Sequence, residues 1–128
     1  MSSISSIHHL AITVSDADTS AAFYGELLGL EEAFTIDDES LRARVFGGDG
    51  FLFGVRHYKQ YDKDRFTEFR VGLDHFAFAV PDRESLESYE RRLEEMGATY
   101  TPAADTPVGT VVVFRDPDGI QGEFFLPA

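Results

Sequence analysis

The feature that most constrains this chain is that it repeats itself. The run Ile7-His8-His9-Leu10-Ala11-Ile12-Thr13-Val14-Ser15-Asp16 matches Leu73-Asp74-His75-Phe76-Ala77-Phe78-Ala79-Val80-Pro81-Asp82. In both, a histidine opens an alternating, strand-like run that an aspartate closes. Helical spacing follows each aspartate, on Ala22, Phe23, Leu27 and Leu30 in the first half and on Leu86, Tyr89, Leu93 and Met96 in the second. Asp16 or Asp18, and Asp82, are suited to accept the free N–H groups of a first helical turn. Gly29 and Gly97 are suited to end the helices. Three further strands are expected in each half, at 32–36, 41–46 and 51–57 and at 99–102, 110–114 and 121–126. The turn sequences Gly47-Gly48-Asp49-Gly50 and Asp116-Pro117-Asp118-Gly119 separate them. The predicted fold is α+β, with two tandem βαβββ modules over 7–58 and 72–127. The polar connection at 59–71 carries Tyr61 and Phe66 and is a candidate to fold over a site.

Composition narrows the chemistry. At 128 residues the length suits one domain. With no cysteine, a disulfide framework, a thiolate metal site and a Cys nucleophile are excluded, so any metal must be held by His, Asp, Glu or water. A net charge of −12 argues against nucleic acid and anionic membrane surfaces as partners. No apolar run approaches the roughly 20 residues of a membrane span. Residues 1–6 lack the basic and apolar regions of a signal peptide. The expected location is the cytoplasm.

Side chains alternate along a strand, so Leu10, Ile12 and Val14 share the face meant for the helix, and His9, Ala11 and Thr13 share the other. Phe76, Phe78 and Val80 oppose His75, Ala77 and Ala79 in the same way. Two of the four histidines thus sit at equivalent positions on faces of small residues, which leave room for a cavity. His8 points the other way, and Asp74 occupies its place in the second half. Aligning the turns makes Glu123 the counterpart of Gly54. A carboxylate in an apolar strand needs a cation, a donor or water. Two imidazoles and one carboxylate suit a divalent transition metal such as Fe, Mn, Ni, Co or Zn. Asp16 and Asp82 read as caps and Asp116 and Asp118 as turn residues. Phe23 and Tyr24 read as packing, and His57 as a surface residue.

These stretches (Ile7 to Leu30 with Phe23-Tyr24 and Leu27-Leu28-Gly29-Leu30, Gly72 to Gly97, and Phe114 to Phe125) resemble the vicinal oxygen chelate superfamily. That superfamily includes glyoxalase I, extradiol dioxygenases, fosfomycin-resistance transferases, methylmalonyl-CoA epimerases and bleomycin-binding proteins. The resemblance implies one such domain over 1–128, with paired βαβββ modules forming a cupped mixed sheet around a metal. It also implies a chain that commonly forms homodimers. By resemblance His9, His75 and Glu123 fall on metal-ligand positions. Gly54 departs from glyoxalase I and the epimerases, which place a Glu or Gln there. The implied site is a three-ligand set with open positions. The stretch Thr110 to Phe114 lacks the extra His or Tyr of extradiol dioxygenases, and only five residues follow Glu123, where fosfomycin-resistance enzymes carry a basic extension.

Leu52, Gly54, Arg56 and Tyr58 share one face. There Arg56 is suited to hold an anionic substrate group, and Tyr58 to stack or donate a hydrogen bond. Glu68 and Arg70 are weaker candidates of the same kind. The first functional expectation is a metal-dependent enzyme that chelates two neighbouring oxygens of a small organic substrate, with glyoxalase-like lyase or isomerase chemistry or dioxygenase-like chemistry. In it Glu123 either stays bound or detaches as a base. The alternative is a non-catalytic drug-binding protein of the bleomycin-resistance type.

Overall fold

A computed structural model describes residues 3–60 and 64–128. They form two compact units, residues 1–63 and 64–128. The first contains β1 (His9–Thr13), α1 (Ala17–Leu28), β2 (Glu31–Asp37), β3 (Leu41–Gly47) and β4 (Leu52–Tyr58). The second contains β5 (Phe76–Ala79), α2 (Arg83–Glu95), β6 (Thr99–Thr106), β7 (Gly109–Arg115) and β8 (Gln121–Pro127). Each unit builds a four-stranded mixed sheet, in the order β1-β4-β3-β2 or β5-β8-β7-β6. In each, the first strand lies parallel to the last, and the other pairings are antiparallel. This is the tandem βαβββ fold that the repeat predicts.

Both helices start on an aspartate. Thr19 N–H donates to Asp16 Oδ1 at 3.0 Å, and Ser85 N–H donates to Asp82 Oδ1 at 2.8 Å. Asp18 is not a cap; it accepts from Arg42 and Arg44 instead. Gly29 ends α1 in the left-handed conformation (φ 64°), which glycine adopts without Cβ strain. The buried stripe of α1 is Ala17, Ser20, Ala21, Tyr24, Leu27 and Leu28, while Ala22 is exposed. The predicted stripe through Ala22, Phe23 and Leu30 was therefore rotated. Hydrophobicity alone misled it, because small residues let the helix approach the sheet while Tyr24 packs on Phe53 at 4.7 Å between ring centroids. In the second unit Leu86 and Leu93 anchor α2, and Tyr89 stacks on Phe124 at 4.2 Å and 9°.

One strand runs further than expected. The strand expected at 99–102 continues to Thr106, past Pro102, which has no N–H, and across an irregularity between Thr101 and Ala104. The Ala103 N–H leaves the ladder and donates to Glu90 Oε2 of α2 at 2.8 Å. β6 is an edge strand, so it tolerates this interruption. Tyr61 of the connection lies outside the described residues.

Candidate functional site

The alternation along each strand separates a helix-facing side from an open side. In the first unit Ile12, Phe53, Val55 and Phe46 are buried on the helix side. The open side carries His9, Ala11 and Thr13 from β1 and Gly54 and Arg56 from β4. The register fixes their neighbours: Gly54 lies between Ala11 and Val45, and Arg56 between Thr13 and Ala43. In the second unit Glu123 lies between Ala77 and Val113. Ala11 and Ala77 are equivalent in the repeat, so the sheet pairing itself makes Glu123 the counterpart of Gly54.

A cavity of about 200 Å³ opens on this side of the first unit, lined mainly by apolar groups. His9, Gly54 and Arg56 all contribute to it. Arg56 is half-buried, and its Nε is buried without a hydrogen-bond partner among the described residues. Its guanidinium lies 5.9 Å from the ring centre of Tyr58. Gly54 has no left-handed backbone, and a Cβ placed there would come no nearer than 3.4 Å to Val45 Cγ2. Gly122, one residue before Glu123, differs: a Cβ there would meet the Phe114 ring at 2.4 Å.

The histidines differ in their partners. His9 Nδ1 lies 2.9 Å from His8 Nδ1, so one ring donates to the other. His75 Nδ1 is bonded to Asp74 Oδ1, and its Nε2 faces Glu123 Oε2 at 3.7 Å. The Asp74 hydrogen bond holds the His75 pKa above its ordinary value, with the Glu123 charge adding to it and partial burial opposing it. The Glu123 side chain is only 15% exposed, and no Lys or Arg pairs with it among the described residues. Within neither unit do three His, Asp or Glu side chains converge, again among the described residues.

Two residues stand elsewhere than their sequence setting suggests. His57 is half-buried, and its Nδ1 accepts the Ala17 N–H at 2.9 Å, so it caps α1 from β4 rather than standing at the surface. No local signal reveals this, because the partner is forty positions away. Glu68 forms a bidentate pair with Arg115 at 3.0 and 3.1 Å, and that pair holds its carboxyl below the ordinary range. It anchors the segment before β5, with both of its oxygens engaged by Arg115. Arg70 stands 3.9 Å from Asp64 and is exposed.

Known proteins share this fold. The family model described as Glyoxalase/Bleomycin resistance protein/Dioxygenase superfamily matches residues 6–124. The chain is 32% identical to glutathione transferase FosA of Serratia marcescens, over 96% of this chain and 82% of that protein. It is 24% identical to the "Putative ring-cleaving dioxygenase MhqA" of Bacillus subtilis (strain 168), over 91% of this chain but only 38% of that longer protein. A solved glyoxylase/bleomycin resistance protein/dioxygenase domain from Frankia sp. EAN1pec is 32% identical with a TM-score of 0.92, covering 98% of this chain and 100% of that one. With its two βαβββ units and a family match across nearly its whole length, the chain belongs to the glyoxalase/bleomycin resistance protein/dioxygenase superfamily.

Proposed function

We propose that this chain is a metal-dependent enzyme in which His9, His75 and Glu123 hold one divalent cation, and that it acts on a small oxygenated organic substrate. The observation that carries the reading is the state of Glu123. It is a largely buried carboxylate on a sheet face, without a Lys or Arg partner among the described residues, and its Oε2 stands 3.7 Å from the Nε2 of His75. Such a group needs a cation or donor to offset desolvation. The donor set fits a transition metal. Asp74 occupies Nδ1 of His75, as a carboxylate does when it orients a metal-binding imidazole through its other nitrogen. His8 engages Nδ1 of His9 in the same sense.

A cation bound there would act as a Lewis acid toward two adjacent substrate oxygens. The chain's own residues do the rest. Gly54 offers no fourth donor, Arg56 and Tyr58 contact substrate, and Glu123 either stays a ligand or takes a proton. The relatives include a glutathione transferase and a ring-cleaving dioxygenase by name, which supports an enzyme without choosing its reaction. The test is metal analysis of protein purified without chelator, beside His9→Ala, His75→Ala and Glu123→Gln. Near-stoichiometric metal in the parent and loss in each variant is expected. Undiminished metal in all three would sink the ligand assignment. A parent protein that holds no metal when purified without chelator, yet is stabilised by a small-molecule ligand, would favour a binding protein of the bleomycin-resistance type.

A further inference from the structure

We infer that the cavity of the first unit binds the carboxylate end of a substrate with an apolar body, with Arg56 as the anion-binding residue and Gly54 as the residue that makes room for it. This rests on the proposed enzyme only in placing a second, metal-directed end of the same molecule near His9.

Among the described residues Arg56 is an unmet cation. In a chain with 23 acidic residues, Arg56 has no carboxylate partner among the described residues. Arg42 and Arg44, on the adjoining strand, are both satisfied: Arg42 by Asp18 and Asp37, Arg44 by Asp18 and Glu32. They lie on the helix side of the sheet, whereas Arg56 lies on the open side. A buried guanidinium N–H left without an acceptor carries a desolvation cost that an incoming anion removes. The fork of donors matches a carboxylate, and the Tyr58 ring supports one side of it.

The cavity also has an apolar lining and an open floor. Phe34, Ile36, Val45 and Leu52 give the cavity its apolar walls. Gly54 lies between His9 and Arg56 on that face, and neither backbone strain nor a close neighbour requires a glycine there. Its counterpart is Glu123, so the first unit has no side chain where the second has a carboxylate. From His9 to Thr13, the rung of Arg56, β1 runs about 13 Å at roughly 3.3 Å per residue. About 200 Å³ suits a ligand with one aromatic ring or a short chain.

The experiment titrates phenylacetate, its neutral analogue phenylacetamide, and inorganic phosphate into the full chain after EDTA treatment, read by amide chemical shifts and melting temperature. Phenylacetate is expected to bind at least about ten-fold more tightly than the amide, the size of one charge-assisted hydrogen bond. Arg56→Met should remove that preference, with Arg56→Gln as a second variant should Met impair folding. Gly54→Ala should keep the melting temperature and weaken phenylacetate binding. No saturable binding of the acid, equal binding of acid and amide, tighter binding of phosphate than of phenylacetate, or a preference that survives in both Arg56 variants would overturn the inference. Because the protein is metal-free, these outcomes are independent of the metal analysis that tests His9, His75 and Glu123.

Discussion

The two units share a topology, a register and a helix start, yet their open faces carry different chemistry. At equivalent rungs the first unit has Gly54 and Arg56 where the second has Glu123 and Phe125. The helix-facing sides differ in size but not in kind. The first packs Tyr24 on Phe53, and the second builds a cluster of Phe76, Phe114, Phe124 and Tyr89. Buried faces are bound by close packing, so substitutions there must conserve shape. The open faces are released from that demand, and there the units separate into an apolar cavity that holds Arg56 and a histidine–carboxylate pair.

The largest expected effect tests the cores. Phe124 is 1% exposed and stacked on Tyr89, so Phe124→Ala should cost about 3–5 kcal/mol by chemical denaturation. A loss under about 1 kcal/mol would mean that the aromatic cluster is not the second unit's core. The two strand glycines come next. Gly122→Ala drives a methyl into Phe114 and should cost about 1–3 kcal/mol, whereas Gly54→Ala should stay within about 0.5 kcal/mol. Equal costs would remove the distinction between a packing glycine and a cavity glycine.

A smaller effect separates the helix starts. His57→Leu installs the residue found at the equivalent position, Leu126, and leaves the Ala17 N–H without its acceptor. A loss of about 1 kcal/mol is expected, and an unchanged melting temperature would show that water replaces the bond. The smallest effect is electrostatic. Arg44, through its hydrogen bonds, holds the Glu32 pKa down from 4.5 to about 2, with Thr35 contributing. A depressed carboxyl pKa stabilises the folded state above the unfolded value and loses that contribution as pH falls through the folded one. The advantage of the parent over Glu32→Gln should therefore be full above pH 4.5 and vanish as pH falls toward about 2. At such an exposed pair it should not exceed about 1 kcal/mol. A constant difference across that window would remove the ion pair as its cause.

Much of the fold was legible because its signals are local. The repeat announced two equivalent units, Asp16 and Asp82 announced the helix starts, and the Asp116-Pro117-Asp118-Gly119 turn formed as its residues dictate. Asp116 accepts from Asp118 N–H and Ile120 N–H, and Gly119 has φ 77°. Turn alignment paired Gly54 with Glu123 before any register was known, since strand parity carries the phase from the turn onward. The buried stripe of α1 was less legible, because Ala17, Ser20 and Ala21 are buried for their small size and not for hydrophobicity.

What the sequence determined by itself was the pair of equivalent histidines, the βαβββ order of each half and the side of the sheet on which the strand residues stand. These depend on period and repetition along one dimension. His8, which precedes β1, was expected to point away from His9 but lines the same cavity. What only the tertiary structure decided was who meets whom across the sheet. His57 found a helix N–H, Glu68 found Arg115, and the buried Nε of Arg56 found no acceptor among the described residues. Whether a polar group is satisfied depends on neighbours that converge from distant parts of the chain, and no pattern along the chain records them.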